Sequence, residues 1–164
     1  MKAGDKTVYV LPEAQGNAGS SPTDWRNAKN IGDTTREALQ NAKLPSTGAT
    51  YDISVHSAGG RALATALNNG EKLSAYELSL QDATFDGAWN TINSKLKDQT
   101  GVQHVTLQGS DERESVLGNR HKSLLKTLND AGISTDRAPN TKSHDAASRT
   151  FEAPAPHHRD SFDH

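Results

Sequence analysis

Short segments rich in strand-forming residues alternate along this chain with longer segments in which apolar residues recur at helical spacing. The strand-like segments are 7–11, 51–56, 75–80 and 102–108. Apolar residues three and four positions apart predict helices over 61–69, over the segment from Trp89 to Leu96, and over 112–131. From residue 51 onward, the chain therefore repeats a strand-then-helix order.

The segment between the first two predicted strands has loop and helix signals only. Residues 12–21 are rich in Gly, Asn and Ser, which predicts a long loop. Ser21 precedes a proline at the first helical position, and Thr34 with Glu37 has the spacing of a capping box. We expect two short helices or one broken helix here.

Strands that alternate with helices predict a parallel sheet with right-handed crossovers. The expected fold class is α/β, as a three-layer α/β/α sandwich with a mostly parallel sheet. Residues 1–150 form a single domain on this interpretation, and residues 151–164 are expected to form a flexible tail. Ligands of parallel sheets bind at the carboxyl ends of the strands, so the candidate residues are those where strands end.

The amino-acid composition argues against several classes of function. The 164 residues include 18 Lys plus Arg and 20 Asp plus Glu, and this balance without a basic stripe argues against a nucleic-acid partner. No apolar run approaches the roughly 18 residues that cross a bilayer, so we expect a soluble protein without a transmembrane segment. The absence of cysteine excludes disulfides and thiol nucleophiles.

Ser57 lies where a predicted strand meets a predicted helix, and Gly59 and Gly60 allow a sharp turn there. A serine at such a turn projects its hydroxyl above the sheet edge, facing the free N–H groups of the first helical turn. The alternatives are an ordinary helix N-cap or an anion-binding helix N-terminus. A simple cap does not require two glycines, which lower helix propensity by about 1 kcal/mol each.

The run His-Ser-Ala-Gly-Gly over residues 56–60 resembles the nucleophile elbow of the α/β-hydrolase superfamily. The family pattern usually has glycine two residues before the serine, where this chain has Val55. The resemblance implies a reduced α/β-hydrolase-like sheet of about five strands. It further implies a serine hydrolase that cleaves an ester, thioester or amide through an acyl-enzyme on Ser57. It also implies that the oxyanion donors are the backbone at Ala58 and, from an earlier loop, at Ala14.

The superfamily order of serine, acid and histidine places the other catalytic residues after Ser57. Two acids at strand ends compete: Asp82, which we favour, and Asp111, which with Glu114 also has the spacing of a helix capping box. His144, in a loop after the last strand-like segment, is the candidate base.

The other histidines have simpler explanations. His104 lies in a predicted strand and His121 on the polar side of a predicted helix, so both are expected to be structural or solvent-facing. His56 is expected to have a packing role, because alternation along the strand places it opposite Ser57. The remaining histidines, His157, His158 and His164, belong to the predicted tail.

The chemistry implied by the resemblance calls for no cofactor and no metal, and the expected partner is a small-molecule or acyl substrate. The alternative is a non-catalytic α/β binding module in which the elbow is only a structural turn. Val55 and the choice between two acids both favour that alternative.

Overall fold

The computed structural model describes residues 37, 39–43, 52–73 and 75–145, and strands and helices alternate within these ranges. The elements in chain order are β1 (Asp52–His56), α1 (Gly59–Asn68), β2 (Ala75–Gln81), α2 (Asp86–Lys95), a 3₁₀ turn (Leu96–Asp98), β3 (Val102–Gln108), a second 3₁₀ turn (Asp111–Arg113), α3 (Glu114–Asp130) and β4 (Ser134–Arg137). Residues 37 and 39–41 are also helical, as the capping-box spacing predicts. The predicted strand over 7–11 and the predicted tail over 151–164 lie outside the described residues.

The strands of the described sheet are all parallel and follow the order β1-β2-β3-β4. His56 pairs with Gln81, and Gln81 pairs with Gln108, so the first three strands end in one row. The predicted α/β class is thereby confirmed.

The fourth strand, β4, is absent from the sequence prediction. Its residues are Ser, Thr, Asp and Arg, and none of them is buried. The strand lies at one edge of the described sheet and is held there through its backbone pairing with β3. A strand formed by backbone bonds at an edge needs no apolar pattern, so periodicity has no signal for it.

Helices α1, α2 and α3 contribute to one hydrophobic core against the sheet. Its largest fully buried members are Leu63, Leu78, Leu80, Ile92, Leu96, Val105, Leu107, Leu124 and Leu128. Residues that alternate with these along the strands point to the opposite face, where the hydroxyls of Ser79 and Thr106 donate to Glu77 Oε1 at 3.1 and 2.9 Å. Helices α1, α2 and α3 thus cover one face of the sheet. None of the helices in the described ranges has the length and apolar character to cross a bilayer.

The two glycines after Ser57 lie at close approaches between α1 and its neighbours. A Cβ at Gly60 would lie 1.8 Å from the carbonyl oxygen of Ala83, just beyond β2. A Cβ at Gly59 would lie 3.2 Å from Cγ1 of Val55. The missing side chain of Gly59 therefore makes room for the valine that stands where the family pattern usually has glycine.

We predict that Gly60→Ala lowers the free energy of unfolding by about 3 kcal/mol or more, because the clash is with backbone and not with a flexible side chain. Urea unfolding followed by circular dichroism measures this change. The matched control is Gly87→Ala in α2, where the added Cβ meets only the flexible Arg61 side chain, with Nε nearest at 3.4 Å. It should change the free energy by less than about 1 kcal/mol. Equal losses in the two variants would contradict the close approach.

Candidate active site

The row in which β1, β2 and β3 end places Ser57 and Asp82 side by side. Each is the first residue after its strand, and each has a positive φ, 50° for Ser57 and 45° for Asp82. Their N–H groups continue the sheet bonding: Ser57 donates to the Gln81 carbonyl at 3.0 Å, and Asp82 donates to the Gln108 carbonyl at 2.9 Å. The backbone bonds thus hold both residues in a left-handed conformation that costs on the order of 1 kcal/mol or more.

His144 connects the two side chains. Its Nε2 lies 2.9 Å from Ser57 Oγ, and its Nδ1 lies 2.9 Å from Asp82 Oδ2. A carboxylate only accepts hydrogen bonds, so Nδ1 carries the proton and donates it to Asp82. In this tautomer the lone pair on Nε2 is available to accept a hydrogen bond from the Ser57 hydroxyl. These three residues of the sequence prediction are brought into contact.

Asp82 is fully buried, and polar groups from two other segments surround its carboxylate. Ser110 donates twice, from its backbone N–H to Oδ1 at 2.9 Å and from its hydroxyl to Oδ2 at 2.6 Å. His144 supplies the third donor. A buried carboxylate requires such donors, because an oxygen without one would lose its hydrogen bonds to water and gain none from the protein.

The loop that carries His144 is attached to the end of β3. Thr141 donates its N–H to the Gly109 carbonyl at 3.0 Å and accepts the N–H of Asp111 at 2.8 Å. His144 donates its own N–H to Glu112 Oε2 at 3.0 Å. Its carbonyl lies 3.1 Å from His56 Nε2, and the two imidazole rings lie 4.8 Å apart. The position of the histidine is therefore set by backbone contacts as well as by its ring.

Phe85 and Arg113 lie next to this histidine. The Phe85 ring meets the His144 ring edge-on, with centroids 6.0 Å apart. The Arg113 guanidinium lies 5.3 Å from the centre of the Phe85 ring. An aromatic ring with a cation above it thus lies beside the imidazole that contacts Ser57.

Asp111, the competing acid, does not contact His144. It is exposed, begins the 3₁₀ turn before α3, and lies 3.5 Å from the Asn140 side-chain amide. The predicted capping box is also wrong, since α3 begins at Glu114 without a side-chain cap. The Glu114 carboxylate instead accepts hydrogen bonds from Arg137 and Asn140, at 2.5 and 2.9 Å.

Of the other residues considered in the sequence analysis, Ala58 and His104 lie in the described part of the chain. Ala58 directly follows Ser57 at the N-cap of α1, where backbone N–H groups have no carbonyl partner within the helix. His104 lies in β3, with Nδ1 3.0 Å from Ser134 Oγ and Nε2 3.5 Å from Asp136. Ala14 and the tail histidines lie outside the described residues.

Sequence reasoning missed Ser110, Glu112 and the bond from His56 to the His144 carbonyl. Ser110 follows β3 by two residues, so the rule that inspects strand ends would have found it. Glu112 and the His56 bond have no such signal, because both depend on where the loop of His144 packs.

The prediction that His121 lies on the polar side of its helix is wrong, because the side chain is fully buried in α3. Of the two roles expected for it, burial excludes the solvent-facing one and leaves the structural one. Neither ring nitrogen has a hydrogen-bond partner among the described residues. Burial lowers the pKa of His121 to about 4, and the Arg137 charge acts in the same direction, against the opposing charges of Asp82 and Glu114. The helix turns this side chain inward despite the polar residues around it in sequence.

No protein-family model matches this chain, and neither the curated proteins nor the solved structures contain a significant match to it.

We predict that Ser110→Ala lowers the free energy of unfolding by about 1–3 kcal/mol, because a buried carboxylate loses its shortest donor. Urea unfolding measures the loss. The control is Ser79→Ala, which removes a 3.1 Å hydroxyl bond to the half-buried Glu77 on the opposite face of the sheet. It should cost less than Ser110→Ala. The reverse order would show that Asp82 does not depend on Ser110.

The buried His121 predicts a specific pH dependence of stability. Its pKa is 6.5 in the unfolded chain and about 4 in the folded chain, so between these pH values only the unfolded chain binds the proton. The free energy of unfolding therefore falls as the pH falls through this window, by about 3 kcal/mol from this group. Urea unfolding at several pH values measures the slope.

The control for this slope is His121→Leu, which fills similar space and does not titrate. The variant should lose less stability than the wild type over the same window, because the other titrating groups are common to both chains. Parallel curves for the two proteins would contradict the assignment to His121.

Proposed function

We propose that this protein is a serine hydrolase that cleaves an ester, thioester or amide through an acyl-enzyme on Ser57. The observation that carries the proposal is the pair of 2.9 Å contacts from Ser57 Oγ to His144 and from His144 to the buried Asp82. A serine that only caps a helix does not require contact with an imidazole whose other nitrogen is bound to a buried carboxylate, whereas a nucleophilic serine does.

The proposed reaction begins when Ser57 Oγ attacks the carbonyl carbon of the substrate. The hydroxyl proton passes to His144 Nε2 as the carbon–oxygen bond forms. Asp82 holds the ring through Nδ1 and stabilises the imidazolium. His144 then gives the proton to the leaving group as its bond to the carbon breaks. A water molecule, deprotonated by the same nitrogen, releases the acyl group and restores Ser57.

The developing oxyanion is stabilised by the Ala58 N–H, which lies at the positive end of the α1 dipole. The second donor, in the backbone around Ala14, is proposed from the resemblance to the α/β-hydrolase superfamily. The same resemblance supports the proposal of a three-layer α/β/α sandwich with a reduced sheet, of which the described part supplies four parallel strands.

We predict that a fluorophosphonate forms one adduct with the folded wild-type protein and none with Ser57→Ala. The bond from Ser57 Oγ to phosphorus forms as the phosphorus–fluorine bond breaks, with the proton first taken by His144 and the fluorine leaving as fluoride. His144→Ala should be labelled at least about 100-fold more slowly, since it lacks the general base. Intact-mass spectrometry over time measures all three proteins.

Ser94→Ala is the matched control for the loss of a serine hydroxyl. Ser94 lies on α2 and bonds the Asn90 carbonyl of its own helix at 2.7 Å, so this variant should be labelled like the wild type. An adduct that persists in Ser57→Ala would place the reactive group elsewhere. No adduct on folded wild-type protein would favour the non-catalytic binding module.

A further inference from the structure

We propose that His56 is a positioning residue for the base of the reaction, which it holds in place through a hydrogen bond from its Nε2–H to the backbone carbonyl of His144. The inference rests on the proposed hydrolase function, since it concerns the group that would activate Ser57. The packing role expected for His56 does not include this bond.

The contact joins two consecutive residues to one histidine. Ser57 contacts the His144 ring at Nε2, 2.9 Å away, while His56 contacts the His144 carbonyl at 3.1 Å. Because His56 and Ser57 share a peptide bond, the His56 hydrogen bond holds the backbone of His144 at a fixed position relative to the backbone of Ser57. A movement of the His144 backbone away from Ser57 would therefore require breaking the His56 bond or bending the end of β1.

The second backbone bond of His144 is less protected. Its N–H donates to Glu112, which is exposed, whereas His56 is half-buried. Water competes for a hydrogen bond at an exposed carboxylate more effectively than at a half-buried carbonyl. Of the two backbone bonds, the one from His56 is thus the stronger restraint on the loop.

The chemistry of the His56 ring suits this position. A carbonyl oxygen only accepts, so Nε2 must carry the proton. The rings lie 4.8 Å apart, and a charge on His56 would oppose the imidazolium that forms on His144 when it takes the serine proton. Burial is the largest influence on the pKa of His56 and lowers it, and the charge of His144 acts in the same direction. The hydrogen bond to the His144 carbonyl and the charges of Asp82 and Asp145 raise the pKa, but the net direction is downward, which favours the neutral ring.

Two variants separate the donor from the ring. His56→Phe keeps an aromatic ring and removes the donor, while His56→Gln keeps a side-chain N–H donor and removes the ring. We expect fluorophosphonate labelling of Ser57 to slow about tenfold in His56→Phe and to stay within about threefold of the wild type in His56→Gln. Equal rates for wild type and folded His56→Phe, or equal slowing in both variants, would overturn the proposal.

A measurement on the unmodified protein tests the same bond without activity. Nitrogen-15 NMR of the histidine side chains should show His56 with its proton on Nε2 at neutral pH, and His56→Phe should shift or broaden the His144 Nδ1–H resonance. A bare Nε2 on His56 would overturn the proposal even if neither variant folds. If the wild type shows the expected His56 tautomer but forms no adduct with the fluorophosphonate, the hydrolase proposal fails and the contact between the two histidines stands.

Discussion

The fully buried carboxylate of Asp82 is the constraint on which the arrangement of this protein's sheet edge depends. A carboxylate without water needs hydrogen-bond donors around both oxygens, and the end of β2 itself provides none of the three found there. Two come from Ser110 beyond β3, and one comes from His144 in the loop after β4. Satisfying one side chain therefore fixes three segments that are far apart in sequence.

The same edge of the sheet holds two residues in strained backbone conformations. Ser57 and Asp82 both have positive φ, which non-glycine residues avoid, and both are held by N–H bonds to the neighbouring strand. Gly60 allows α1 to approach the Ala83 carbonyl so closely that no other residue fits. The sheet thus fixes the backbone from which the Ser57 side chain extends, and the contact with His144 Nε2 directs its hydroxyl. Such a fixed position is what the proposed attack on a substrate requires.

Polar side chains at the start of α3 and the end of β4 further restrain the segment that leads to His144. Glu114 binds Arg137 and Asn140, and these bonds tie the start of α3 to β4 and the loop that follows it. Arg137 also lowers the pKa of the buried His121 beyond the effect of burial itself. The loop of His144 thus begins from a segment that is already fixed, which shortens the stretch whose conformation must be restrained by His56 and Glu112.

By itself the sequence determined the α/β class, the three apolar strands with their following helices, and the turn at Ser57, because each depends on local periodicity or on glycines. It also placed Asp82 and His144 at strand ends or after them, from the order of elements alone. Only the tertiary structure shows that His144 contacts Asp82 and not Asp111, because both acids follow a strand in the sequence. Three further features are visible only in the tertiary structure: the strand β4, the burial of His121, and the hydrogen bond from His56 to the His144 carbonyl. Those features arise from backbone pairing and from packing between distant segments, and such long-range contacts leave no periodic pattern along the chain.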